Sequence, residues 1–400
     1  MNSHTDSNGA SPNGLEAALD HSADIRVSAG AEHTTREIAQ QPELWLKTAE
    51  QIVAGSGRLA ERLQNCEAIA LTGSGSSQYV GECIASCVQR GLGRTTVAVG
   101  SGDLLLSGSE LLPAQRPMQL VSFARSGSSP ESLGLISSLL TNEPEIEHLV
   151  VTCNPGGRVA NKWGEGADPK VAVETLDERT CDESLVMTSS FTNMALAGMG
   201  LAYLDRPETY LLRAKILAEV GRNLIEVWSK RIEPLARQGF SRMVALGSGG
   251  QFGAARESAL KMLEMTDGRV VTVAESWLGF RHGPMCVLRD DSLLLLFLSS
   301  SAARRAYQLD LLREIRDKGL GGSVIAVGSE LPPGFLMDGD LAVDCPGLAE
   351  LPDEWAAIAG VVVGQLLGFF RCLEEELLPD QPAATGAISR VVPEFTIHPA

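Results

Sequence analysis

The sequence predicts an α/β protein built from two tandem parallel sheets, each flanked by helices in a flavodoxin-like three-layer sandwich. Three observations carry that prediction. Short apolar runs end in Gly/Ser loops that open into helical stretches, the same unit recurs 174 residues later, and 400 residues suit two cores better than one.

In the first unit, AIALT (68–72) runs into Gly73-Ser74-Gly75 and a helix from Tyr79 to about Gln89. MQLVSFA (118–124) leads into RSGSSPES and a helix to about Leu140. EHLVVTC (147–153) follows, and then SLVMTSSFTNMALAGMGLAYL (184–204) reads as a helix. Short β-rich runs closed by Ser/Gly loops are the mark of strands covered on both faces. The second unit repeats the pattern. Gly73, Ser74 and Gly75 fall on Gly247, Ser248 and Gly249, Phe123 and Ser126 on Phe297 and Ser300, and Val150 on Val324. RMVAL, LLLLFLS and SVIAVG take the three strand positions. Agreement over three segments points to a duplication.

Residues 1–35, rich in Ser, Asn and Gly and lacking an apolar h-region, read as a disordered tail rather than a signal peptide. Residues 36–206 form the first domain, whose N-terminal helices (36–64) carry Ile38, Leu44, Leu46 and Ile52 among charged residues. A helical linker is expected over 207–237, the second domain over 238–380 with a final apolar helix at about 352–376, and a C-terminal tail over 381–400. The apolar runs at 293–298 and 358–370 are too short to span a bilayer, so no membrane partner is expected. A net charge of −17 argues against nucleic-acid binding. The eight cysteines form no CxxC pair and no His pair accompanies them, which reads as reduced core thiols in the cytosol and no metal site.

Ligands of open α/β sheets collect beyond the carboxyl ends of the strands, where helix N-termini offer N–H groups to an anion. Two loops there carry hydroxyls: Gly73-Ser74-Gly75-Ser76-Ser77-Gln78, and Arg125-Ser126-Gly127-Ser128-Ser129-Pro130-Glu131-Ser132. A third helix opening, Thr188-Ser189-Ser190, adds more. Ser and Gly cap helices in most proteins, but three such loops at one sheet edge point to a phosphorylated ligand. A dinucleotide fingerprint fails, because Gln78 and Phe252 stand where the third glycine belongs, and no GK[ST] of a P-loop occurs. On the helix after Gly247–Gly250, Lys261 and Glu264 share a face with Glu257 one turn earlier. His282, between Arg281 and Gly283-Pro284, lies in a loop-like stretch, and imidazoles ordinarily titrate near neutrality. A carboxylate base with an acid suits proton transfer between adjacent carbons; a solvated ion-paired face is the bland alternative.

The loop from Arg125 to Ser132 resembles the phosphate-binding loop of the sugar isomerase (SIS) domain. The stretches LGSGGQ…RESALKMLE (246–264) and AESWLGFRHGP (274–284) are similar to the isomerase half of glucosamine-6-phosphate synthase. The runs HTTREIAQQP (33–42), MTSSFT (187–192) and WLGFRHGP look closest to the galactosamine-6-phosphate deaminase/isomerase family, the tagatose-6-phosphate-forming branch. The resemblance covers about residues 35–390 and implies two tandem SIS domains acting on a phosphorylated amino sugar. It implies sugar-phosphate binding by Ser76, Ser77, Arg125, Ser126 and Ser129, with Ser128, Thr188 and Ser189 added as hydroxyls of the same loops. It implies that Glu264 moves a proton between C1 and C2, that Lys261 sits near the substrate hydroxyls, and that His282 opens the ring from a neighbouring subunit in a homodimer. No metal or organic cofactor is implied. The synthase's C-terminal lysine has no counterpart; Arg390 is the nearest cation. Three functions remain open at this level: deaminase/isomerase, isomerase without loss of nitrogen, and a non-catalytic sugar-phosphate sensor.

Overall fold

The computed structural model describes residues 14–393 and 395–398. The first sheet contains β1 (Ala68–Gly73), β2 (Thr95–Gly100), β3 (Met118–Ala124), β4 (Ile146–Thr152) and β5 (Val171–Thr175), all parallel, in the order β2-β1-β3-β4-β5. The second contains β6 (Arg242–Gly247), β7 (Val271–Ser276), β8 (Ser292–Phe297), β9 (Val324–Gly328) and β10 (Leu341–Asp344), also parallel, in the order β7-β6-β8-β9-β10. The two orders are the same topology written twice. In each, chain direction across the sheet reverses between the first and third strands, which opens a crevice at their carboxyl ends.

The expected pairing of Val150 with Val324 is corrected by the strand registers. Leu120 pairs with His148, while its repeat mate Leu294 pairs with Val324, so β9 lies two residues further along than the offset of β1/β6 and β3/β8. A two-residue shift preserves which side chains face which layer, so the duplication tolerates it. The strands β2, β5, β7 and β10 escaped the sequence reading for a physical reason. β2 and β7 are sheet edges, β5 and β10 are only five and four residues long, and all four expose part of their side chains, so none reads as a continuous apolar run.

Among the described residues, five helices precede β1: α1 (Gly14–Asp20), α2 (Ala23–Ser28), α3 (Glu32–Ala39), α4 (Gln41–Ala54) and α5 (Ser56–Leu63). Within the first unit follow α6 (Ser76–Leu92), α7 (Ser101–Ser107), α8 (Pro130–Asn142), α9 (Arg158–Trp163) and α10 (Ser189–Gly200). Then come α11 (Pro207–Asn223), α12 (Ser229–Ala236), α13 (Gly250–Met265), α14 (Ala302–Asp317) and α15 (Asp353–Glu374). A π-helical turn, Leu224–Trp228, joins α11 to α12, so an unbroken helical run links the two sheets where a linker was expected.

The expectation of a disordered segment over 1–35 is corrected for residues 14–35; the remainder lies outside the described residues. Here α1 docks on α12. The Gly14 N–H donates to Glu233 Oε2 at 2.9 Å, the Leu15 N–H donates to Ser229 Oγ at 3.1 Å, and the Leu15 side chain is fully buried. One apolar anchor and two captured donors order a stretch whose polar composition hid them.

The centre of the molecule is helical. α13 lies between α6 of the first unit and α15. Gly253 lets α13 approach: a Cβ there would come within 2.6 Å of the Cys83 backbone nitrogen on α6. α15 is long and apolar enough to cross a membrane, but it is buried almost throughout as the shared core helix. Six of the eight cysteines are buried, with Cys181 half-buried and Cys286 exposed.

Two buried carboxylates shape the segment before α10. Asp182 accepts the N–H groups of Thr188, Ser189 and Ser190 at 2.8, 3.0 and 3.0 Å. It thereby caps α10, which is why the helix begins at Ser189 instead of at residue 184. Glu37 of α3 accepts the N–H groups of Glu183 and Ser184 at 2.5 and 3.2 Å and the Ser184 hydroxyl. Burial, reinforced by the neighbouring Asp182, pushes the Glu37 carboxyl up to about 8. A carboxyl raised in the folded state stabilises the protein at low pH and loses that contribution as pH rises through about 8. Glu37→Gln, close to isosteric, is therefore expected to make stability fall less steeply between pH 5 and 8. Denaturant midpoints across that range check this, and parallel slopes for the two proteins would show that Glu37 is ionised throughout.

Candidate active site

The crevice of the first sheet is bounded by the loops after β1 and β3. At Gly73 a Cβ would strike Ser77, within 2.6 Å, and Gly75 sits at φ 55°, so the chain turns sharply from β1 into α6. No side chain caps that helix. Its positive end therefore faces the crevice unneutralised, as suits an anion. A cleft of about 130 Å³ lies here, bounded by Ser74, Ser77, Arg125, Ser126, Ser129 and, from the far end of the chain, Arg390 to Val392.

Arg125 is almost fully buried and held by carbonyls. Its Nη1 donates to Ser184 O and Leu185 O at 3.2 and 2.9 Å, and its Nη2 donates to Arg390 O at 2.6 Å. The 182–185 segment that receives these bonds is itself fixed by Glu37 and Asp182. The guanidinium is thus positioned through a chain of contacts that begins on α3. Arg390 completes the wall by donating to the Asp182 carbonyl through Nε at 2.8 Å and through Nη2 at 2.5 Å. The segment expected to be a C-terminal tail is, at residues 390–392, part of the cleft.

The other predicted hydroxyls divide. Ser77, Ser126 and Ser129 border the cleft. Ser129 also caps α8, accepting the Ser132 N–H at 3.4 Å. Ser128 spends its hydroxyl on the Ser126 carbonyl at 3.3 Å and on the Arg158 N–H at 3.2 Å, and it does not border the cleft. Thr188 and Ser189 are fully buried, and their N–H groups, with the Thr188 hydroxyl, are engaged by Asp182. The third hydroxyl loop is a helix cap satisfied from within the chain, so it is withdrawn as a ligand loop. An acid a few residues before a Thr-Ser-Ser helix opening is the cue that points to this outcome.

α13 brings the predicted acid–base pair to the first unit's helix. Lys261 Nζ donates to Ser76 Oγ at 3.1 Å and to Glu264 Oε2 at 2.5 Å, and lies 3.3 Å from Glu257 Oε1. Ser76 is the first residue of α6, so the buried ammonium links the two units at the start of that helix, although Ser76, Lys261 and Glu264 do not themselves border the cleft. Burial by itself lowers the proton affinity of Lys261; Glu257 and Glu264 outweigh it, and the net shift is upward. Burial is also the main cause that lifts the Glu257 carboxyl to about 7, against the pull of Lys261. Glu264 keeps its side chain about one-fifth exposed and contributes to the field on Arg125. His282 is not brought to this group within one chain. It ends a short turn, Gly279–His282, after the edge strand β7, is exposed, and makes no hydrogen bond or ion pair among the described residues.

No protein-family model matches the chain. A protein from Shewanella sp. (strain ANA-3) named D-galactosamine-6-phosphate deaminase AgaS is 32% identical over 386 residues, covering 94% of this chain and 95% of that protein. A Streptomyces coelicolor relative, provisionally given the same name, is 37% identical over 381 residues, with 94% and 97% covered. Among solved structures, that of tagatose-6-phosphate ketose/aldose isomerase from Escherichia coli superposes with a TM-score of 0.81 at 31% identity, covering 92% of this chain and 96% of that one. Similarity at this level along nearly the whole length places the chain in the AgaS D-galactosamine-6-phosphate deaminase family.

Proposed function

We propose that the protein converts D-galactosamine 6-phosphate to tagatose 6-phosphate and ammonia. The observation that carries the reading is the Lys261–Ser76 bond, which sets a carboxylate and an ammonium from the second unit beside an uncapped helix N-terminus in the first. The phosphate is held by the α6 N-terminus and by the Ser77, Ser126 and Ser129 hydroxyls, with the Arg125 cation behind them. The carbon chain then runs toward α13.

The open-chain aldehyde loses its C2 proton to Glu264, giving an enolamine. Glu264 returns that proton to C1, which leaves a ketimine at C2, and water adds there and expels ammonia. The buried Lys261 ammonium stabilises negative charge developing on the C1 oxygen. Ring opening is assigned to His282 of the partner subunit in a homodimer, since within one chain this side chain stands free on the second unit's edge. The eight unpaired thiols suit a reducing cytosol. Plain ketose/aldose isomerisation, which the name of the E. coli structure suggests, would use the same Glu264 step with the nitrogen absent, and an ammonia assay separates the two.

With galactosamine 6-phosphate the purified protein is expected to release ammonia and a ketose phosphate in equal amounts. Glu264→Gln should lower kcat about 10²- to 10⁴-fold, leave KM little changed, and abolish exchange of the C2 hydrogen with solvent. Full exchange in that variant would remove Glu264 from the proton transfer. Mixing Glu264→Gln with His282→Ala chains should restore about a quarter of wild-type activity, because half the random dimers carry one intact shared site. No recovery would place ring opening within a single chain.

A further inference from the structure

The duplication leaves a second crevice, at the carboxyl ends of β6 and β8. Ser300 stands one repeat after Ser126, in a loop, Ser299-Ser300-Ser301, that opens into α14 as the first-unit loop opens into α8. A cavity of about 290 Å³ lies over it, bounded by Ser248, Gly249, Trp277, Arg304 and Tyr307. The cradle within this cavity already contains an anion, the carboxylate of Asp353 at the start of α15.

Asp353 accepts the Ser299 hydroxyl at 2.6 Å, the Ser300 N–H at 3.0 Å, the Ser300 hydroxyl at 3.1 Å and Arg304 Nη1 at 2.8 Å. The residue is 8% exposed. Two hydroxyls, a backbone amide and a guanidinium converging on one pair of oxygens is the donor set that a phosphate monoester would require. In the first unit, by contrast, no carboxylate is hydrogen-bonded to Ser77, Ser126 or Ser129 among the described residues.

We infer that the second crevice is an anion site kept filled by the chain's own Asp353, so that phosphate monoesters are confined to the first unit and enter the second only when that carboxylate is removed. The same contact ties the N-terminus of the central helix α15 to the ligand end of the second sheet. A seat that holds substrate in one unit thus serves as a clamp in the other.

The test is the number of inorganic phosphate ions bound per chain, measured by isothermal titration on the intact protein and on Asp353→Gly. The variant should take one phosphate more per chain than wild type, and millimolar phosphate should raise its unfolding temperature by several degrees more than it raises that of wild type. Asp353→Asn, whose amide still fills the seat, should gain no site. Equal phosphate numbers in wild type and Asp353→Gly would overturn the inference. So would two phosphates per wild-type chain, whether or not the glycine variant folds. The wild-type count of one rests on the function proposed above, but the difference between variant and wild type does not. A wild type that binds none, with a variant that binds one, would sink that function and leave this inference standing.

Discussion

A buried ammonium between two carboxylates is the interaction around which the two halves of this molecule are organised. Lys261 is fully buried, and an unpaired charge at that depth would be untenable. Glu257 and Glu264, one turn behind and one turn ahead on the same helix, keep it protonated, and the Ser76 hydroxyl supplies a further acceptor from the other unit. Removing one member of such a cluster strands the rest, at a cost of roughly 3–5 kcal/mol. The cluster can exist only because α13 lies directly against α6, which in turn requires the bare backbone of Gly253 beside Cys83. Chemistry and helix packing are thus one constraint seen at two scales.

The symmetry of the fold and the asymmetry of its chemistry follow from where the chain places its acids. Both units present the same sheet order and the same glycine turn into the first helix, with φ near 55° at Gly75 and Gly249. In the first unit Glu37 and Asp182 lie behind the crevice and act on the segment that holds Arg125, while Glu131 borders the cleft without a hydrogen bond to Ser77, Ser126 or Ser129 among the described residues. In the second unit Asp353 lies inside it. One displaced acid is enough to separate a site from a support.

Much of the architecture was readable from the residues. The duplication, the central strands and the final apolar helix are marked by continuous apolar runs, because strands and helices covered on every side must be apolar throughout. Edge strands were invisible for the same reason inverted, since partial exposure admits Thr and Glu and breaks the run. Within the site, the α13 pair stood out through helical spacing and the Ser loops through repetition. What could not be read was direction. The same Ser-rich composition faces a cleft at Ser126, a neighbouring loop at Ser128 and a buried aspartate at Ser189. Only the partners reached in three dimensions decide among these. The role of residues 390–392 was hidden more deeply, because nothing in a short polar stretch reveals what it will lie against.

That last segment has a consequence for the life history of the molecule. Arg125 and the carbonyl it meets at Arg390 are separated by 265 positions, so the wall of the cleft is the last part of it to be translated. While the ribosome is still decoding the second unit, the nascent first unit can own its serine cradle but not the enclosure around it. Closure of the cleft therefore waits until residues 390–392 have been made, and a polypeptide cut off after α15 but short of this stretch would keep its serine loops and the α13 cluster beside an open trough.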